Sequence, residues 1–181
     1  MDTSTRHAAG AVAATGYVAA ITLANWTTTR YGFVPVGFGL TATAGTYAAG
    51  LALLLRDLVQ DTCGRAWVIA GILFGAALTW WTSPALAVAS ATAFLVAEAV
   101  DMAVYTPLRR RGWARAVLLS GLVGAVADTW VFLTLAGFPT TSTAMAGQLV
   151  GKALWATAVP VAVVVAVRQV RHAVLGHSVG A

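Results

Sequence analysis

The sequence predicts an all-α, polytopic membrane protein with six transmembrane helices, short loops and both termini cytoplasmic. Three observations carry this. Hydrophobic residues make up 59% of the 181 and charged residues 9%, with mean hydropathy +0.81, whereas a soluble domain averages about 25% charged. The apolar residues fall in runs approaching the roughly 20 residues a span needs. The basic residues sit at the ends of those runs, not in a stripe, so the net charge of +5 does not point to nucleic acid. The length suits one domain, 1–181.

The first span is read at 10–25, rich in Ala and Thr and ending at Asn25-Trp26, an aromatic where an interface lies. It is expected to be a retained span and not a signal peptide. A loop with Arg30, Gly32 and Pro35 follows. The second span is placed at 38–59; its first half, GFGLTATAGTYAAG, is built of small residues, which suits either close helix packing or a substrate passage. The third, 66–81, ends at Trp80-Trp81, and Thr82-Ser83-Pro84 turn the chain into the fourth, 84–105. The fifth is 116–135 and the sixth 146–167, separated by a loop with Gly137, Pro139 and a Thr/Ser cluster.

With six spans, Arg6, Arg65, Arg109, Arg110, Arg111, Arg115, Arg168 and Arg171 fall on one side and Arg30 on the other. Cytoplasmic loops carry the excess of Lys and Arg, so that side is cytoplasmic. The lone Cys63 has no partner for an internal disulfide. His7, His172 and His177 are scattered, giving a metal site no support. No nucleophile–base set or phosphate loop appears, so an enzyme is the least supported class, and no cofactor is expected.

The informative residues are charges inside the spans, where ionisable groups are costly and mark pathways or ligand sites. In SATAFLVAEAVDMAVYTPLRRR, Glu98 and Asp101 are three apart and share a helix face. Entering from the cytoplasm, the fifth span carries Asp128 about 18 Å in; entering from outside, the sixth carries Lys152 about 9 Å in. Both lie at about one-third depth from the outer face of a roughly 30 Å core, so they are expected to pair, with Gln148 one turn from Lys152. Arg56, Asp57, Asp61 and Arg65 read as a structural charge network at the inner boundary, Asp61 and Arg65 being four apart.

The stretches RDLVQDTCGR, SATAFLVAEAVDMAVYTPLRRRGW, SGLVGAVADTWVF and GQLVGKALWA resemble the signature segments of the queuosine precursor transporter family, also called the VUT family of vitamin uptake transporters. The resemblance implies a bacterial inner-membrane importer of a queuosine precursor such as 7-cyano-7-deazaguanine. It also implies a deazapurine and the lipid bilayer as partners, and is compatible with a homodimer. Such a ligand is flat and mostly neutral. Its guanine-like edge offers N–H donors, which a carboxylate accepts side by side; Glu98 is expected to be the main reader, with Asp128 next and Asp101 close by. Its carbonyl wants a donor from Lys152, Gln148 or Asn25. Its faces want aromatic partners from Trp26, Trp130, Trp155, Tyr47 and Phe94. Two rival readings remain: a substrate-binding subunit of a vitamin importer that needs an ATPase, and a non-transporting membrane scaffold.

Overall fold

The computed structural model describes residues 3–108, 110, 113–152 and 154, and the backbone alone for 3–9, 57 and 113–118. In chain order it runs α1 (Thr3–Tyr31), β1 (Phe33–Gly37), β2 (Leu40–Thr43), α2 (Thr46–Cys63), α3 (Arg65–Trp80), α4 (Pro84–Leu108), α5 (Trp113–Leu135) and α6 (Ser142–Leu149). The helices follow the expected apolar runs, with two corrections at the start of the chain.

The first helix is far longer than 10–25. The second begins at Thr46, because residues 33–43 form an antiparallel β-hairpin. Val34 pairs with Ala42 and Pro35 with Thr41, and the strands turn through Phe38 (φ 56) and Gly39 (φ 71). Positive φ at both central residues matches the twist of a two-residue hairpin. Pro35 lacks an N–H and suits a strand with an open edge. The hairpin is tied at its base: Gly32 N–H donates to Thr28 O at 2.9 Å, and Ala44 N–H to Gly32 O at 2.8 Å.

A third correction concerns Asp61 and Arg65. Gly64, at φ 90, ends α2 and opens α3 between them, so the i,i+4 relation of a continuous helix does not hold. Both are exposed.

The chain's apolar side chains are turned outward and its polar ones inward. Trp67, Leu73, Phe74 and Trp80 of α3, Trp81 just after it, and Leu122, Val123 and Trp130 of α5 are exposed, while Asn25, Thr46, Thr79, Ser90, Asp128, Gln148 and Lys152 are buried. Apolar outside and polar inside is the arrangement of a membrane protein that encloses a site. By length and hydropathy, α4 is the helix among the described residues that can cross a membrane unaided; α3 and residues 119–135 are apolar but shorter. In α1 and α2 the Asn, Thr and Arg side chains, buried and exposed alike, dilute the apolar signal.

In lipid, helix association rests on close packing, not on burial from water. Gly71 and Gly75 show how α3 meets α1: a Cβ at Gly71 would lie 2.8 Å from the Tyr17 ring, and one at Gly75 2.8 Å from Ile21. One apolar cluster joins α1 to α4 around Tyr17, Ile21, Ile72 and Phe94; a second joins α4 to α5 around Leu86, Ala93, Phe132 and Leu133. The last expected span, 146–167, lies mainly outside the described residues, as do Arg109, Arg111, Trp155, Arg168 and Arg171.

Candidate functional site

Between the two apolar clusters lies a buried cavity. Its wall is drawn from α1 (Ile21, Asn25, Thr28), the hairpin exit (Thr43, Gly45, Thr46), α4 (Ser90, Phe94), α5 (Asp128, Phe132) and the α6 segment (Gln148, Lys152). Close backbone approach makes this convergence possible. A Cβ on Gly45 would clash with the Ala24 carbonyl, and one on Gly147 with the backbone of Thr41. Thr28 Oγ1 accepts from the Gly45 N–H at 3.1 Å, which holds the hairpin exit against α1.

The polar groups form three sets. Lys152 Nζ donates to Asp128 Oδ2 at 2.6 Å and to Thr129 Oγ1 at 3.3 Å, both charged side chains being about 5% exposed or less. Asp128 and Lys152 thus meet, as their depths in the sequence predict. Lys152 follows α6 in a wider, π-type turn, a distortion frequent at functional sites, and lies 6.0 Å from the Phe132 ring centre. Gln148, 1% exposed, donates from Nε2 to Thr43 Oγ1 at 2.8 Å and accepts through Oε1 from Thr46 Oγ1. Asn25 donates from Nδ2 to Ser90 Oγ at 2.9 Å and Thr79 Oγ1 at 3.2 Å.

The free space is about 30 Å³. An apolar cavity that takes a single benzene ring is about 150 Å³, so this form admits a few waters, and a bicyclic ligand requires the walls to part.

Of the residues expected to hold a ligand, Asn25, Phe94, Asp128, Gln148 and Lys152 line this cavity. Glu98 and Asp101 do not. Glu98 lies four residues beyond Phe94, about 6 Å along α4, and pairs with Arg56 at 3.0 Å (Nη1 to Oε2), the two side chains being 14% and 12% exposed. That oxygen accepts no aligned hydrogen bond, so the contact is ionic. Asp101 lies against Gly124 of α5. Trp130 (56% exposed) and Tyr47 (39%) point outward, as Trp26 does, and Trp155 lies outside the described residues. Within the expected charge network, Arg56 meets Glu98, Arg65 Nη1 lies 3.0 Å from Met102 Sδ, and the Asp57 side chain is outside the described part.

Sequence reasoning missed Phe132, Ser90, Thr43 and Thr46. The threonines stand in the small-residue stretch whose alternatives included a passage, and that stretch does border the cavity. Phe132 follows Asp128 by four residues, one turn along the same face, which was the available signal.

A second, larger space, about 910 Å³, runs along the outside of α1 and α3, lined by Val18, Leu23, Trp26, Trp67, Phe74 and Leu78 among others. Its hydroxyls are spent locally: Thr15 donates to Ala11 O, Thr22 to Val18 O and Thr82 to Thr79 O. Such a surface suits lipid chains.

Comparison with curated proteins and with solved structures gives no match. The family model described as "Putative vitamin uptake transporter" matches residues 73–167, just over half of the chain. That match takes in α4, α5 and the segment bearing Gln148 and Lys152. The chain belongs to this family of membrane transporters, the VUT family.

Proposed function

We propose that the chain is a bacterial inner-membrane carrier for a queuosine precursor, 7-cyano-7-deazaguanine or a related deazapurine. In this reading six helices span the membrane, both termini are cytoplasmic, and the ligand binds in the cavity bounded by α1, the hairpin exit, α4, α5 and the α6 segment. The observation that carries it is the cavity wall, in which a buried carboxylate, amine and two carboxamides stand with the phenyl rings of Phe94 and Phe132. A flat heterocycle with polar edges wants such a set, aromatic faces above and below and charge-assisted hydrogen bonds in its plane.

Asp128 is the carboxylate that fits the ligand's N–H edge best, because it lines the cavity while Glu98 faces Arg56. Lys152 and Gln148 supply donors for the carbonyl. Because the free space is too small for the ligand, binding has to move at least one wall, as alternating access requires.

Purified protein in liposomes tests the reading. Uptake of labelled 7-cyano-7-deazaguanine without any ATPase supports a carrier. Binding without uptake, with transport restored only by an ATPase partner, supports the importer-subunit alternative. No binding of any deazapurine or vitamin rejects both. Asp128→Asn should abolish binding; if it binds normally and Glu98→Gln does not, Glu98 is the reader.

A further inference from the structure

We infer that Asn25 selects the ligand by accepting a hydrogen bond from it, so that the cavity requires an N–H donor at that point of the ligand's edge. The inference rests on the transporter reading above. Asn25 also enters that reading as a candidate donor to a ligand carbonyl; the hydrogen bonds around it argue for the opposite polarity.

Thr79 Oγ1 donates its own proton to Gly75 O at 2.8 Å, and Ser90 Oγ donates to Ala87 O at 3.4 Å. With their protons committed, both hydroxyls face Asn25 as acceptors. A carboxamide offers two donor hydrogens on nitrogen and an acceptor oxygen. The group 3.2 Å from Thr79 and 2.9 Å from Ser90 is therefore Nδ2, since rotating the amide would set Oδ1 against the lone pairs of Thr79. Both Nδ2 hydrogens are then used. Among the described residues Oδ1 accepts no hydrogen bond. Asn25 as a whole is 2% exposed and lines the cavity, so its oxygen is the polar atom it has left for a ligand there. A buried acceptor without a partner is costly; a ligand N–H restores the missing bond and a ligand carbonyl there is repelled.

The partner of complementary chemistry is a heterocycle carrying an N–H donor, such as an exocyclic amine. The lattice of Thr79, Ser90 and their carbonyls fixes the amide's orientation, so Asn25 discriminates without having to move.

The test is equilibrium binding of two ligands, 7-cyano-7-deazaguanine and its analogue lacking the exocyclic amine, to wild type and Asn25→Ala in detergent. Wild type should prefer the amine-bearing ligand by about tenfold to a hundredfold. Asn25→Ala should weaken that ligand and bring the ratio close to one; a merely structural role for Asn25 would weaken both equally and leave the ratio unchanged. The wild-type ratio needs no variant to fold, and equal binding of both ligands by wild type overturns the inference. So does an unchanged ratio in Asn25→Ala. Binding of neither ligand by wild type rejects the deazapurine reading, and this inference with it.

Discussion

The inner cavity and the outer groove lie on opposite sides of one helix. Ile21 and Asn25 of α1 face the cavity; Val18, Thr22 and Trp26 of the same helix face the groove. The groove is far the larger, about 910 Å³ against about 30 Å³. Its threonines nevertheless return their protons to their own helix, while the cavity keeps polar atoms that the fold holds across long sequence distances. Asn25 reaches Ser90, Thr43 reaches Gln148 and Asp128 reaches Lys152. Size favours the groove as a binding site; the polar groups that line the free space favour the cavity.

The sharpest way to break the comparison is to unpair the cavity's charges. Lys152→Met leaves the Asp128 carboxylate buried without its cation and should cost about 3–5 kcal/mol of stability. The double change Asp128→Asn with Lys152→Met should cost less than the single one. Denaturant unfolding in micelles measures both; a double variant less stable than Lys152→Met would refute the pairing argument.

The wall between the two regions comes next. Gly75→Val pushes a side chain into Ile21, where a Cβ alone already stands at 2.8 Å. Overpacking of this kind costs about 1–3 kcal/mol and should move α1, lowering ligand affinity together with stability. An unchanged melting temperature would show that α1 and α3 separate freely.

Glu98→Gln tests the ion pair one turn below the cavity. It should destabilise by about 1–3 kcal/mol, the cost of leaving a buried polar group unsatisfied, because Arg56 loses its carboxylate partner in α4. Ligand affinity should stay at the wild-type value, in contrast to Asp128→Asn. Isothermal titration alongside unfolding separates the two effects.

The smallest effect belongs to the groove. Thr22→Val removes a hydroxyl whose bond, 2.9 Å to Val18 O, is local to one helix turn. Stability should change by no more than about 0.5 kcal/mol, and uptake into liposomes should be unaltered. A loss of transport would make the groove part of the pathway.

Much of this was legible in the chain itself. Apolar runs fixed where helices α3, α4 and α5 lie, because a helix exposed to lipid needs a long stretch without charge. The helical rise placed Asp128 and Lys152 at one depth, and they meet at 2.6 Å. Depth matched these two charges, but it did not foresee that Arg56 would meet Glu98. The hairpin was not legible: Gly, Thr, Ala and Val serve a small-residue helix and a short strand alike, and the positive φ at Phe38 goes against that residue's local preference.

Which carboxylate faces the cavity was decided only by tertiary structure. Glu98, Asp101 and Asp128 are equivalent to a hydropathy argument, since each is an acid in an apolar helix. Rotation of α4 and α5 about their axes turns Asp128 inward and gives Glu98 to Arg56. The polarity of Asn25 is likewise a tertiary property. The sequence supplies a group that can donate or accept, and the committed protons of Thr79 and Ser90, 54 and 65 residues away, leave it only its oxygen.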